Sequence, residues 1–269
     1  MIRLPNIPLP GETLAGLAEY QREVDSLPDY AARVARAKVR FSAVNQKGNR
    51  TFDSVKETLA KMNSGARRCA YCEDSLANQI EHIRPKTLYP ELVFAWMNYL
   101  YACDSCNVHK NDHFAVFADG TGVLTSVARA RRAPVIPPIA GKDVFIDPRV
   151  EDPTEYLELD LRDTFWFRPR ARPGTVENAR ADYTIRELQL NSRDWLPLSR
   201  RSAYWDYLAH LKSYIQDKER GLPQEHLTRL TDEVRGRQHP SVWFEMKRQN
   251  TSLPELTMAF AAAPEALQW

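Results

Sequence analysis

The four cysteines of this sequence form two Cys-x-x-Cys pairs, Cys69 with Cys72 and Cys103 with Cys106. Two such pairs can present four thiolates to one zinc ion as a tetrahedron, and four thiolates leave no open position for a water molecule. We therefore predict a structural zinc site and not a catalytic one. A dithiol redox centre would use only one of the pairs and leaves the other unexplained.

An adjacent carboxylate and imidazole, Glu81 and His82, lie between the two cysteine pairs in the segment QIEHIRPK. Neighbouring side chains of a strand point to opposite faces, but a strand that ends before Pro85 can let both line one pocket. One residue can then bind a metal ion while the other moves a proton. Asn107 directly follows the second cysteine pair, and at helical spacing it shares a face with Lys110.

This order of residues resembles the HNH endonuclease family, whose core is a ββα-metal fold. The resemblance spans residues 69–110 and rests on CAYC, EHIRPK, the asparagine of WMNYL, and CDSCNVHK. It implies a metal-dependent endonuclease that hydrolyses phosphodiester bonds of nucleic acid. By that resemblance the general base is His82, the first metal ligand is Glu81, the central asparagine is Asn98 and the second metal ligand is Asn107.

Each of these implied roles has a chemical rationale. An imidazole that is neutral near pH 7 can take a proton from an attacking water molecule. Glu81 and Asn107 offer oxygen ligands, which suit magnesium or manganese. The amide of Asn98 can bridge backbone groups across the long loop and hold the catalytic strand in place. Arg84 and Lys110 are candidates for binding the scissile phosphate.

Two positions depart from the common family pattern. Many members carry Asp or His where this chain has Glu81, and His where it has Asn107. Both residues keep an oxygen donor, so a hard ion such as magnesium or manganese is expected in the catalytic site in place of zinc. His109 and His113 remain alternative ligands, although an isolated histidine is more often a surface residue. The plain alternative for Glu81 and His82 is a salt-bridged surface pair.

A narrower branch of the family is similar over a longer stretch, about residues 56–201. That branch contains the HNH nuclease subunits of Septu-type and retron-linked anti-phage systems. The resemblance rests on CAYCE, IEHIRPK, YPELVFAWMNYLYACDSCNVHK, FIDPRVEDP and TIRELQLN. It implies a partner ATPase of the ABC or SMC type and a nucleic-acid substrate, DNA rather than RNA. The chain carries no GxxxxGK[ST] loop, so nucleotide hydrolysis would come from the partner.

Composition is that of an ordinary soluble protein: of 269 residues, 43% are hydrophobic and 27% are charged. We find no apolar stretch long enough to cross a bilayer and no secretory signal pattern. A cytoplasmic protein without a membrane partner is expected, in a compartment where paired cysteines favour metal over disulfides. The net charge of +2 does not by itself indicate nucleic-acid binding. Two local basic clusters can contact phosphates: Arg129, Arg131 and Arg132, and Arg168, Arg170 and Arg172.

The elements that position these residues are predicted to be mainly helical. Apolar periodicity before the first cysteine pair, interrupted by Pro28 and by NQKGNR, predicts three helices. A hairpin of YLELDL and TFWFRP follows the cysteine region, and helical patterning then resumes. We predict an α+β, mainly α fold in three parts. These are an N-terminal helical region (1–66), a ββα-metal core with a zinc knuckle (67–118) and a mostly helical C-terminal region (119–269) that docks a partner or substrate.

Two other classes of function remain open from the sequence. A zinc-knuckle protein that binds nucleic acid or serves as a scaffold would have the fold without cleavage. A thiol redox enzyme would have a reactive cysteine of low pKa and no bound metal. The set of Glu81, His82 and Asn107 favours the nuclease, and metal analysis separates the redox enzyme from both.

Overall fold

The computed structural model describes residues 1–65 and 67–269, so the predicted boundary at residue 66 lies outside the described residues. The described chain is a mixed α+β protein, roughly half helical, with short antiparallel strands. Its helices are α1 (Gly11–Asp25), α2 (Tyr30–Val44), α3 (Arg50–Met62), α4 (Asp104–Lys110), α5 (Val176–Glu187), α6 (Trp195–Glu219), α7 (Gln224–Arg235), α8 (Pro240–Arg248) and α9 (Pro254–Ala262). Its strands are β1 (Gln79–His82), β2 (Tyr99–Ala102), β3 (Ala115–Ala118), β4 (Leu124–Ser126), β5 (Gly141–Asp143), β6 (Leu157–Leu159) and β7 (Phe167–Pro169). Short 3-10 helices cover Pro90–Leu92, Trp96–Asn98, Pro153–Glu155 and Pro264–Gln268.

Three helices precede the first cysteine pair, as the apolar periodicity predicts. Asp29 and Asn49 cap α2 and α3, because their side chains accept hydrogen bonds from the backbone N–H groups of Ala32 and Phe52. The helices pack through their apolar faces around fully buried side chains such as Phe52 and Val55. We call this group of buried residues the helical core.

Strands β1 and β2 form a two-stranded sheet between the helical core and a second, larger core. Their antiparallel register pairs Glu81 with Leu100 and His82 with Tyr99. Tyr99 packs into the helical core, whereas Leu100 packs with the four cysteines and much of the C-terminal half, which we call the central core. Since side chains alternate along a strand, each strand contributes residues to both cores in turn.

The C-terminal half covers the other side of this sheet. β4, β3 and β5 form one antiparallel sheet in that order, and β6 pairs with β7 in the hairpin predicted from YLELDL and TFWFRP. Residues 127–140, which include the proline-rich segment, connect β4 to β5 without helix or strand. The last helix packs on the protein's own core through buried Leu256 and Phe260. Within the described residues, no helix combines the length and apolarity needed to span a membrane.

Candidate functional site

The four cysteines converge although the two pairs are separated by both strands of the small sheet. Their Sγ atoms all lie within 4.8 Å of one another, all four residues are buried, and none forms a disulfide. The Sγ atoms of Cys72 and Cys103 are 3.8 Å apart. A tetrahedron of thiolates around zinc at about 2.3 Å has an edge of about 3.8 Å, so the spacing fits that ion. The cluster can therefore hold zinc.

Hydrogen-bond donors surround the sulfur atoms. The backbone N–H of Cys106 donates to Sγ of Cys103 at 3.4 Å, and Nη2 of Arg193 lies 3.3 Å from Sγ of Cys106. Hydrogen bonds from Cys106, Cys69 and Cys72 hold the pKa of the Cys103 thiol well below its ordinary value. Four thiolates around one divalent ion keep a net negative charge, and the buried guanidinium of Arg193 offsets part of it.

Glu81 forms a buried ion pair with Lys110. The carboxylate Oε1 lies 2.7 Å from Nζ of Lys110, and the side chains are 6% and 0% exposed. Lys110 also donates to the carbonyl oxygen of His82 at 2.8 Å, which ties the end of α4 to the end of β1. Burial raises the pKa of the Glu81 carboxyl, although the charge of Lys110 opposes that shift. Lys110 thus compensates a buried carboxylate, and its predicted role in phosphate binding stays a prediction.

His82 points into the helical core and is only 3% exposed. Its ring meets the rings of Phe41 and Tyr99 edge to face, with centroid distances of 4.5 and 5.1 Å. Its Nε2 lies 3.0 Å from the carbonyl oxygen of Val93. Burial and the nearby charge of Lys86 lower the pKa of His82 well below its ordinary value. The imidazole is therefore neutral at pH 7, but in this conformation the aromatic rings cover it.

The expectation that Glu81 and His82 line one pocket is wrong for this conformation. Regular strand pairing continues through His82, opposite Tyr99, so the alternation of side chains is not broken at the strand end. Glu81 consequently faces the central core, where it meets Lys110, and His82 faces Phe41 in the helical core. The two residues do not form a salt-bridged surface pair either, since both are buried.

Asn98 bridges the two ends of the loop that follows β1. Its Oδ1 accepts from the backbone N–H of Arg84 at 2.8 Å, and its Nδ2 donates to the carbonyl oxygens of Arg84 and Leu92, each at 3.0 Å. The backbone N–H of Ile83 donates to the carbonyl oxygen of Asn98. These hydrogen bonds hold the start, middle and end of the loop together, whereas a catalytic role of Asn98 stays a prediction.

The remaining predicted ligands lie on α4 or just after it. Asn107 is half-buried and stands one helical turn before Lys110, so it shares the face of α4 that approaches Glu81. His113 is 54% exposed and its Nδ1 lies 2.7 Å from Glu187. Among the described residues, neither His109 nor His113 belongs to a group of three or more potential His, Cys, Asp or Glu ligands.

Arg84 lines a cavity of about 650 Å³ beside the loop that Asn98 holds. Its guanidinium pairs with the carboxylate of Asp143 through two contacts, Nε to Oδ2 at 2.8 Å and Nη2 to Oδ1 at 3.0 Å. The Arg84 side chain is 40% exposed, so this cation remains accessible to solvent. Arg84 is thus the predicted phosphate-binding residue that the structure leaves accessible.

Two predicted basic clusters are partly occupied by internal contacts. Arg129 stands over the ring of Tyr30 at 5.9 Å and donates to its hydroxyl at 3.4 Å. Arg168 pairs with Glu158 at 2.7 Å, and Arg170 donates to the carbonyl oxygen of Thr154. Arg131, Arg132 and Arg172 are exposed.

Sequence reasoning did not identify Arg193 or Phe41 as parts of the site. Arg193 reaches Cys106 from far along the chain, and Phe41 comes from a helix that reads as ordinary apolar packing. Nothing local in either segment marks the contact. Only the tertiary arrangement shows that one residue touches a cysteine sulfur and the other covers His82.

The described residues therefore define an α+β protein with a four-cysteine cluster that fits a zinc knuckle. Among curated proteins, the chain is similar to the Septu protein PtuB of Bacillus thuringiensis, with 36% identity over 73 residues. The alignment covers 25% of this chain and 28% of PtuB, so the similarity concerns a segment of each protein. No protein-family model matches the chain.

Proposed function

We propose that this chain is a metal-dependent HNH endonuclease and a component of an anti-phage defence system of the Septu kind. The observation that carries the proposal is the position of Glu81 on β1, of Asn98 directly before β2 and of Asn107 on α4, next to the cysteine cluster. The order of two antiparallel strands followed by a helix supports the assignment of a ββα-metal core. The similarity to PtuB supports the defence context.

His82 supplies the general base in this proposal. Its lowered pKa keeps the imidazole neutral at pH 7, which is the form that accepts a proton from water. The hydrogen bonds of Asn98 hold the loop after β1, so they fix where the strand carrying His82 ends. Arg84 contributes positive charge at the accessible edge of the same loop.

Glu81 and Asn107 would hold a magnesium or manganese ion, which would stabilise the leaving oxygen when bound. Their oxygen donors suit such an ion. In this conformation, however, the ammonium group of Lys110 already lies 2.7 Å from the Glu81 carboxylate. A divalent cation held by Glu81 would therefore compete with Lys110 for the same oxygen, and its binding would require Lys110 to withdraw.

The proposal also requires a conformational change that exposes His82. The imidazole is covered by Phe41 of α2, so substrate cannot approach it in this conformation. We assign the covered state to the resting protein. A partner ATPase of the ABC or SMC type, which the resemblance implies, is the expected source of that change. Keeping the general base covered protects the host, because an unregulated nuclease would cleave the nucleic acid of the host cell.

The test uses the zinc-loaded full chain, alone and mixed with the proteins that neighbouring genes encode. Single- and double-stranded DNA and RNA of one sequence are incubated with magnesium, with manganese, and without a divalent cation. We expect cleavage that depends on the divalent cation, is stronger with the partner, and favours DNA. Absence of cleavage under all conditions, with zinc bound and the complex formed, would contradict the proposal.

A non-catalytic zinc-braced scaffold is the second candidate function. It is favoured by one observation, namely that Glu81, Lys110 and His82 are all buried and engaged in internal contacts. A scaffold would bind its partner or nucleic acid with equal strength whether or not magnesium is present, and it would cleave nothing.

A further inference from the structure

Two cavities meet at the ion pair between Arg84 and Asp143. The first, of about 650 Å³, is lined by Ile83, Asn98 and Phe145. The second, of about 510 Å³, lies on the other side of the pair. Both cavities share Arg84, Asp143 and Gly141, so they form two lobes of one groove that runs past the loop after β1.

The backbone at Gly141 lines both lobes and lies at their junction, which we call the saddle. A Cβ atom at this position would lie 2.3 Å from the carbonyl oxygen of Phe117, so a side chain does not fit. Because β5 pairs with β3 here, the saddle is held by backbone hydrogen bonds. The groove is thus a fixed feature of the β3–β5 pair.

Two tyrosines and two arginines line the second lobe, namely Tyr30, Tyr89, Arg33 and Arg84. The guanidinium of Arg84 stands 5.4 Å from the ring centroid of Tyr89, and that of Arg129 stands 5.9 Å from the ring centroid of Tyr30. Arg33 also lines this lobe, and its Nε is buried without a hydrogen-bond partner among the described residues. Stacking surfaces beside cations are what proteins use to bind single-stranded nucleic acid.

Carboxylates pair with both arginines that line the first lobe, Arg84 and Arg180. Asp143 holds Arg84 through two contacts, and Glu151 holds Arg180 through two more, at 2.8 and 2.6 Å. The Arg84 pair is 40% and 24% exposed, so water and an incoming anion can reach it. A phosphate offers the same paired oxygens to a guanidinium as a carboxylate does.

We propose that this groove binds a single strand of nucleic acid, with a backbone phosphate replacing the carboxylate of Asp143 on Arg84. The proposal rests on the proposed nuclease function and names the form of its substrate. Asp143 then acts as an internal substitute for phosphate, which holds Arg84 in place while the groove is empty. Bases stack on the rings of Tyr30 and Tyr89 in the second lobe.

The shape of the groove favours a single strand over a duplex. Its two lobes are recessed, and their aromatic rings serve unpaired bases, whose faces are free to stack. In a duplex the bases already stack on each other, and its phosphates lie on a broad convex surface. The carboxylates of the groove also disfavour binding that rests on phosphate contacts alone.

The test measures binding of labelled oligonucleotides to the zinc-loaded full chain by fluorescence anisotropy, without added magnesium. Single-stranded DNA, single-stranded RNA and the matching duplex of mixed sequence are compared. We expect Asp143→Asn to tighten single-strand binding at least about threefold, since it frees Arg84 from an exposed pair. Arg84→Gln should weaken binding and lower the slope of log K against log salt by about 0.7, the value for one lost phosphate contact.

Controls separate this groove from general charge effects. Glu23→Gln frees Arg40 from an equally short, partly exposed pair outside the groove, so it should leave binding unchanged. The double variant Arg84→Gln/Asp143→Asn should bind as weakly as Arg84→Gln alone. Equal binding of duplex and single strand, or no gain from Asp143→Asn, would overturn the proposal.

The experiments distinguish failure of the groove proposal from failure of the nuclease proposal. If single strands bind as described but nothing is cleaved under any condition, the groove stands and the nuclease proposal falls. If cleavage occurs and none of the groove variants changes single-strand affinity, the nuclease stands and the groove proposal falls.

Discussion

The ammonium group of Lys110 lies 2.7 Å from the carboxylate of Glu81, and neither side chain is appreciably exposed. The pair joins the last turn of α4 to β1, directly beside the cysteine that α4 contributes to the cluster. A buried pair of this kind leaves a strongly unfavourable charge when one partner is removed. It therefore couples the stability of the core to the residue that the nuclease proposal assigns to the metal.

Lys110→Met is expected to destabilise the protein by about 3–5 kcal/mol, because it leaves the Glu81 carboxylate buried without a cation. Burial then raises the pKa of Glu81 further, so the folded state takes up a proton above the ordinary carboxyl range. Stability of the variant should consequently fall as pH rises from about 4.5 and recover in acid. Urea unfolding at several pH values measures this.

The matched controls for this prediction are a double variant and a surface pair. Glu81→Gln/Lys110→Met removes both charges and should recover much of the lost stability. Lys218→Met breaks an exposed pair with Glu265 and should cost less than about 1 kcal/mol. A pH-independent loss in Lys110→Met would show that the carboxylate is not left buried.

Phe41→Ala is expected to uncover His82. The ring that lies 4.5 Å from the imidazole is removed, so acylation of His82 by diethylpyrocarbonate, followed by peptide mass spectrometry, should become faster. Cleavage by the chain alone should also rise. Phe52→Ala deletes the same volume from the same core without a ring contact to His82, and both variants should cost about 3–5 kcal/mol. Equal reactivity of His82 in the two variants would show that the Phe41 ring does not shield the imidazole.

Arg193→Ala is expected to weaken zinc binding about 10- to 100-fold, because the guanidinium that contacts Sγ of Cys106 is lost. Competition with a chromogenic chelator measures the affinity. Arg186→Ala removes an exposed guanidinium and is the control. Arg193→Lys keeps the charge and should lie between wild type and Arg193→Ala. Unchanged zinc affinity in Arg193→Ala would mean that the contact does not support the metal.

The decline of kcat/KM on the acid side of the pH profile, which we call the acid limb, is expected to report the protonation of His82. Burial lowers the pKa of His82 well below 6.5, so kcat/KM should stay level as pH falls through 6.5 and decline only below it. In Phe41→Ala, exposure raises this pKa and the limb should move toward 6.5. A wild-type limb at or above 6.5 would contradict the buried, neutral imidazole.

Sequence alone predicted those features that depend on local spacing. The cysteine pairs indicated one four-thiol cluster, the apolar periodicity gave the three N-terminal helices, and Asn98 was expected to bridge the loop. Each of these follows from residue type and from neighbours a few positions away.

The remaining features depend on residues that are distant in the sequence. The side toward which His82 points is set by strand pairing that continues to its last residue, which the Pro85 break did not indicate. The burial of Lys110 depends on its ion pair with Glu81 of β1, whereas the sequence pattern suggests an exposed lysine after a cysteine pair. The partners in these buried contacts could therefore not be predicted from the spacing of residues in the sequence.

The most direct test of the account is the single-turnover cleavage rate of His82→Ala in magnesium, with zinc content and melting temperature measured on the same samples. His226→Ala, which changes a partly exposed histidine on α7 without a role in the proposal, serves as the control. The account predicts that His82→Ala loses cleavage by at least about 100-fold, the usual contribution of a general base, while binding zinc as wild type does. Cleavage at the wild-type rate by a zinc-loaded, folded His82→Ala would contradict it.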